Sequence, residues 1–399
     1  MINRLPKISA GLLLLVLTVF AAGCGRSGDP GGGPESRTGI SPDSIRIGSS
    51  LALEGHAGYL GTQMLHGALS YIKKVNENGG VFGRKLEVIA MDDGYDPPRC
   101  VYNTQKLILE EKVFSLFCYV GTPTTVRIMP LVTQAEIPLL GMFTGASRLR
   151  KPVNPYLINI RTSYYRETEA AVDYMVNELG IERVAVFYQY DEYGFDGLRG
   201  AEIALQKYGL KPVAKGSYVR GTDHVTPGLE KIIASGAQAV VMIGTYGACS
   251  KFIRLAEQRG FSPVFHNVSF VGSEELLRRL GSLGEGVLIT QVMPSPKTGG
   301  PQKSLPAVKA YTELLSRYFP ESTPNYVGLE GFINSKVLVE GLKRAGPDIT
   351  REKFIRAIES MKAYDPGISN PLSFGYKDHQ GLDRVYFTKI INGEIRQIQ

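Results

Sequence analysis

From residue 43 onward, short apolar runs alternate with stretches whose apolar residues recur every three or four positions. Ile45–Leu51 (IRIGSSL) reads as a strand. Over 63–76, Met64, Leu65, Ala68, Leu69, Ile72 and Val75 fall on one helical face, and Asn78-Gly79-Gly80 ends the helix. The same reading predicts strands over 86–91, 113–120, 137–143, 183–189, 212–219, 238–244 and 263–268. Helices over 98–111, 123–135, 166–179, 196–208, 226–235 and 248–259 separate them. Beyond residue 306 the pattern is mainly helical (306–318, 326–345, 350–361), closing with strands near 371–374 and 384–397. Strands alternating with helices require parallel sheets covered on both faces. So many units exceed one sheet of usual size, so the pattern predicts an α/β protein of two doubly wound parallel-sheet lobes. Ligands of such sheets bind beyond the C-terminal ends of the strands. Each loop that follows a strand is therefore a candidate site, and two facing lobes would make a cleft.

The N-terminus departs from this rhythm. Arg4 and Lys7 precede an almost wholly apolar stretch from Ile8 to Ala22, the length of a signal-peptide core rather than of a membrane span. Ala21-Ala22-Gly23 directly before Cys24 resembles a bacterial lipoprotein signal, which is cut before a cysteine whose thiol then carries a diacylglycerol. Ala21 stands where that pattern prefers Leu, and a plain secretory signal with an incidental Cys24 is the other reading. The expectation is a signal over 1–23 and a lipidated tether over 24–42. Gly25–Gly39 (GRSGDPGGGPESRTG) carries no apolar periodicity, and fifteen such residues span roughly 20 Å as flexible coil. The folded part is thus expected outside the cytoplasm, held near a membrane surface.

Composition narrows the function. The formal charge of +7 comes from 45 Lys+Arg against 38 Asp+Glu in 399 residues, and losing Arg4 and Lys7 with the signal leaves +5. These charges are scattered, with no basic run or RNA-recognition motif, which argues against a nucleic-acid partner. Cys100, Cys118 and Cys249 remain after Cys24, an odd number that allows at most one internal bridge. Cys100–Cys118 is the nearest pair, and a bridge there would stabilise by about 3 kcal/mol. Buried free thiols are the alternative. No dinucleotide turn, P-loop, zincin, nucleophile-elbow or EF-hand motif occurs. The five histidines lack metal-ligand spacing, and Asp92-Asp93 ahead of Asp96-Pro97 reads as turn and cap chemistry. Neither an enzyme nor a metal or cofactor is expected.

Several loops carry a joint signature, in order along residues 43 to 395. It comprises Ser49-Ser50-Leu51 through Gly61, Gly67-Ala68, Asn78-Gly79-Gly80-Val81-Phe82-Gly83-Arg84-Lys85-Leu86 and Asp92-Asp93-Gly94-Tyr95-Asp96-Pro97. Gly121-Thr122-Pro123-Thr124, Ile137-Pro138-Leu139, Asp191-Glu192-Tyr193-Gly194 and Leu338-Val339-Glu340-Gly341-Leu342 complete it. The set resembles the branched-chain amino acid (Leu/Ile/Val) binding proteins of ABC importers. The resemblance implies a type I periplasmic-binding fold, a flytrap whose two lobes are joined by three crossover segments. Here the crossovers would fall near 161–164, 290–295 and 370–377, giving one lobe of 43–161 with 294–371 and another of 162–293 with 372–399.

Physical reasoning and resemblance meet at the candidate site. Thr122 and Thr124 follow a strand and open a helix, so hydroxyls and free backbone N–H groups face outward together, an arrangement that binds carboxylates. A simple threonine N-cap is the other reading. The resemblance assigns Thr122 to the ligand carboxylate and gives Phe143, Thr144 and Gly145 the same duty. There Phe143 and Gly145 depart from the family's small residue and threonine, and Thr144 supplies the hydroxyl one position early. Tyr193 and Tyr246 match the tyrosines that the second lobe brings onto the ligand, and Tyr59 or Leu60 stands at the entrance. Ser269 takes the place of the glutamate that pairs with the ligand's α-ammonium. A serine offers no charged partner, so a carboxylate without an α-ammonium fits better than a standard amino acid.

The expected function is capture of a small organic ligand, amino-acid-like or carboxylate, and its delivery to an ABC permease by a monomeric, lipid-anchored protein. The alternative is the same fold used as a sensor that signals to a membrane receptor.

Overall fold

The computed structural model describes residues 37–297 and 305–398. The expected signal, Cys24 and most of the tether lie outside them. The first sheet holds β1 (Ser44–Leu51), β2 (Lys85–Asp92), β3 (Ser115–Phe117), β4 (Leu139–Leu140) and β5 (Leu157–Ile158), all parallel, in the order β2-β1-β3-β4-β5. Helices α1 (Gly58–Glu77), α2 (Pro97–Leu109) and α3 (Thr122–Gln134) connect its strands. The chain then enters α4 (Tyr164–Asp173), which ends in a π-helical turn at Tyr174–Glu178. The second sheet follows through β6 (Val184–Gln189), α5 (Glu192–Gln206), β7 (Lys215–Tyr218), α6 (Thr226–Ala234), β8 (Ala239–Ile243), α7 (Tyr246–Gln258), β9 (Val264–Asn267), α8 (Ser273–Leu280) and β10 (Leu288–Gln291). Helices α9 (Pro306–Tyr318), α10 (Tyr326–Ala345) and α11 (Arg351–Glu359) come next, and the hairpin β11 (Tyr386–Ile391) and β12 (Glu394–Gln397) closes the second sheet in the order β12-β11-β10-β9-β8-β6-β7. That hairpin pairs antiparallel, so the second sheet is parallel only from β10 to β7.

Two doubly wound α/β lobes result. Within each, the chain runs to one edge and then resumes on the other side of its first strand, β1 in one lobe and β6 in the other. Such switch points leave a crevice at the strand C-termini. Thr122 follows β3, Tyr193 follows β6 and Tyr246 follows β8, so both crevices carry predicted residues.

The long helix α10 returns to the first lobe and packs on α1 at very close range. A Cβ on Gly67 would stand 1.8 Å from the carbonyl oxygen of Gly328, and one on Gly331 would stand 2.2 Å from that of Met64. Only glycine lets these two backbones touch.

Three expectations are corrected. The run 113–120 forms a strand only over Ser115–Phe117, because Cys118 adopts φ 54° and leaves the extended region. Residues 371–374 contribute only an isolated bridge, Tyr364 to Leu372, in a segment that also bonds back to Met361 beside α11. The third crossing therefore falls later than 370–377. It runs beside the first, where Asn159 N–H donates to His379 O at 2.9 Å and Leu382 N–H to Ile160 O at 2.9 Å.

Cys100 and Cys118 are not bridged; both are free and buried, as is Cys249. The two thiols face different partners. Cys118 Sγ accepts from Asn334 Nδ2 of α10 at 3.5 Å, while Cys100 sits on α2 beside Thr104, whose hydroxyl bonds Tyr119. Burial pushes both thiols well above their ordinary range.

Arg150, buried in the loop after β4, ties the crossings together. Its Nη2 donates to the carbonyls of Thr144 (3.2 Å), Arg161 (3.0 Å) and Thr162 (3.3 Å), its Nη1 to Ala146 O (2.8 Å) and its Nε to Gln380 Oε1 (2.8 Å).

Candidate functional site

The two lobes meet through the loops at their strand C-termini. On the first lobe, Thr122 at the start of α3 and Thr144 after β4 place their hydroxyls 2.7 Å apart, both buried. Thr124 lies beside them, but its hydroxyl is turned inward and donates to Val120 O at 2.6 Å, with Gly121 O at 3.0 Å. It is not the N-cap of the other reading either: Gly121 caps α3 and no side chain accepts a capping bond there. Gly145 is held against the second lobe's first helix: its carbonyl accepts from Tyr164 N–H at 2.8 Å, and a Cβ there would stand 2.6 Å from that nitrogen.

Aromatic rings fill the space between the lobes. Phe270, one residue after Ser269, stacks on Phe143 at 5.2 Å and lies 4.7 Å from Tyr193, 5.9 Å from Tyr95 and 6.5 Å from Tyr164. Tyr193 is fully buried, and its hydroxyl donates to Gly244 O at 3.4 Å. Tyr59, Leu60 and Tyr246 form a separate group at the α1 side of the cleft. Tyr59 and Tyr246 meet edge to face at 6.1 Å, Leu60 packs on Gly272, and the Arg279 guanidinium lies 4.8 Å from the Tyr246 ring. The predicted residues thus fall into two groups, Phe143 and Tyr193 around Phe270, and Tyr59, Leu60 and Tyr246 around Gly272.

At Ser269 the missing carboxylate is supplied from elsewhere. Glu167 of α4 accepts from Ser269 N–H at 2.7 Å, from Ser269 Oγ at 3.0 Å and from Thr290 Oγ1 at 2.8 Å. Arg161, fully buried in the first crossing, donates through Nη2 to Ser269 Oγ and stands 3.5 Å from Glu167. Its Nε is 3.7 Å from Glu330 Oε1 of α10, and its guanidinium lies 4.6 Å from the Phe143 ring. Burial would lower the Arg161 pKa, but Glu330 and Glu167 hold it above its ordinary value, so it stays charged. Burial pushes Glu330 up to about 7 against the pull of Arg161. A cavity of 10 Å³, bounded by Phe143, Ser269, Gln291, Tyr326 and Glu330 among others, adjoins this cluster.

Sequence reasoning did not single out Arg161, Glu167, Phe270 or Glu330. Arg161 carried one usable signal, a cation directly after the mainly apolar run Tyr156–Ile160. Asp92 and Asp93 act as loop formers: Asp92 Oδ1 accepts from Leu53 N–H at 2.8 Å and Gly94 N–H at 3.0 Å, and Asp93 accepts from Ser50 Oγ at 2.8 Å.

Residues 44–394 match the family model described as periplasmic binding protein. The chain belongs to the periplasmic binding protein family. Its likeness to individual members is spread over most of its length. A crystal structure of "a possible leucine/isoleucine/valine-binding protein" from Rhodopirellula baltica SH 1 is 35% identical with a TM-score of 0.85, over 90% of this chain and 96% of that one. An "amino acid binding protein" of Pseudomonas aeruginosa is 27% identical over 62% of this chain and 66% of its own length. The "leucine-specific-binding protein" of Salmonella typhimurium is 23% identical over 72% and 76%. These relatives are binding proteins rather than enzymes. Among the described residues no helix is long and apolar enough to cross a membrane.

Proposed function

We propose that this periplasmic binding protein is an extracytoplasmic solute-binding lipoprotein, anchored through Cys24, that captures a small organic ligand between its lobes and hands it to an ABC permease. The ligand class is amino-acid-like or carboxylate. The lobes, 43–161 with the α9–α11 segment and 162–293 with the C-terminal hairpin, close on it about the crossings. One observation carries the reading. The hydroxyl of Thr122 pairs with that of Thr144, next to Phe143, which stacks on Phe270 of the other lobe beside Tyr193, at the C-terminal ends of the strands, where such folds bind ligands. Binding of a ligand that touches both lobes favours the closed arrangement over the open one.

The test is a thermal-shift screen of amino acids, aromatic acids and amides on the purified protein, repeated with Thr122→Val/Thr144→Val. The expected result is a shift with one chemical class that the double variant loses. A shift of equal size in the double variant would move the site away from the cleft. Labelling of the full chain with palmitate, lost in Cys24→Ser, checks the anchor.

A further inference from the structure

The buried cluster of Arg161, Glu167 and Glu330 holds more hydrogen-bonding capacity than its own members use. Glu167 is well satisfied by Ser269 and Thr290. Arg161 uses only Nη2 for hydrogen bonds: its Nε and Nη1, and Glu330 Oε1, have no hydrogen-bond partner, although all three atoms are buried. A guanidinium presents five N–H donors in a rigid fork suited to a carboxylate. The small cavity next to the cluster is walled by Phe143, Ser269 and Glu330, each in contact with Arg161.

Charge settles which ligand head group the cluster can take. Glu330 faces Arg161 from the first crossing, Glu167 from α4 and Arg150 from the loop after β4. With Glu330 ionised, the two arginines and two glutamates sum to zero. With Glu330 protonated the sum is +1, which one anion balances. Arg150 is already committed to four carbonyls and Gln380, so Arg161 is the cation with donors to spare. An ammonium group brought here would find Glu167 already held by Ser269 and Thr290, and Glu330 paired at 3.7 Å with the Arg161 guanidinium that would repel it.

We infer that Arg161 is the anion receptor of the interlobe site, taking the carboxylate of a ligand that has no ammonium group while Glu330 gains one proton from solvent. This rests on the solute-capture reading above and names its ligand class. The cavity is too small for an organic molecule, so lining side chains such as Phe143 and Tyr326 must move apart as the ligand enters.

Isothermal titration tests it with three acids, 4-methylpentanoate, 3-phenylpropanoate and benzoate, beside leucine, phenylalanine and benzamide. The deaminated acids should bind at least about tenfold more tightly than leucine and phenylalanine, and Arg161→Lys should lose at least about tenfold of that affinity. Titration at pH 8 in buffers of different ionisation heat should show close to one proton taken up per acid bound, with less at pH 6. Glu330→Gln should keep acid binding and abolish the uptake, which serves as the readout if Arg161→Lys does not fold. Tighter binding of the amino acids, or no proton uptake at pH 8, overturns the inference. Binding of leucine or benzamide alone overturns it while leaving solute capture standing. Native mass spectrometry separates the two further: a retained acid supports the inference, and a retained amine or neutral compound overturns it. If no small molecule is retained and none of the six binds, both readings fall.

Discussion

Asp196 on α5 receives the backbone N–H of Ser147 on both carboxylate oxygens, at 3.1 and 3.2 Å, and so ties the second lobe to the loop after β4. Burial at this junction raises its pKa from 3.8 to about 6. Glu274 makes a similar tie, accepting Tyr326 N–H at 3.0 Å, and burial raises it from 4.5 to about 7. Both acids hold their protons more tightly buried at these contacts between the lobes than they would if the lobes parted and exposed them. Closure therefore gains stability as pH falls from about 7 towards 4 and loses it as pH rises through the same window. Fluorescent labels across the cleft should report more closed protein at pH 5 than at pH 8, and Asp196→Asn with Glu274→Gln should flatten the profile. An unchanged profile in the double variant would place the titrating groups elsewhere.

Phe270 is buried at the centre of the cleft aromatics. Phe270→Ala should lower ligand-free stability by about 3–5 kcal/mol, the usual cost of deleting a buried phenylalanine. Urea unfolding at constant slope measures it. A loss below about 1 kcal/mol would mean that the ring is not held in the cleft in solution.

Tyr246 packs edge to face on Tyr59, whereas Tyr193 packs against Tyr164 and Phe270. Tyr246→Ala should weaken ligand binding about tenfold and, because the ring is buried, should also lower the melting temperature. For Tyr193 the informative change is Tyr193→Phe, which keeps the packing and removes only the hydroxyl that donates to Gly244 O. Unaltered affinity in both would remove these tyrosines from the site.

Gly67→Ala should be costly although alanine favours helices, because its methyl would meet the Gly328 carbonyl of α10. Overpacking of this kind costs about 1–3 kcal/mol, occasionally more. Chemical denaturation should show that loss, and Gly79→Ala, whose Cβ meets nothing within 4 Å, tells apart the cost of contact from that of a positive φ.

Cys100, Cys118 and Cys249 are buried and their thiols are raised above the ordinary range. The thiolate is the reactive form. Ellman's reagent should leave all three untouched in the native protein and titrate all three in denaturant without a reductant. Two fewer thiols in denaturant would indicate a bridge.

Elements with long periodic faces were legible in the sequence. The helices over 306–318 and 326–345 have the predicted limits, since an amphipathic or buried face many turns long outweighs local ambiguity. The pattern missed β5, β10 and α8. Two- and four-residue strands hold too few positions for a period, and Ser273–Leu280 is dominated by charged residues. The site divided in the same way. Thr144 and Phe143 sit in a loop after a strand, and Thr122 and Tyr193 at helix starts that follow strands, where the fold class alone directs attention. Glu167 lies within a helix, Phe270 is one more apolar residue after Ser269, and the contact from Arg161 to Ser269 spans 108 positions. No local pattern encodes a partner that distant.

Arg150 gives the two lobes a common pivot. One guanidinium holds the loop after β4, the first crossing and, through Gln380, the third, so neither crossing can bend without carrying the other. Coupled in this way, the two crossings favour a shared rotation over independent twist and splay. A distance between two residues far from Arg150, one in each lobe, is the one to measure for such a motion.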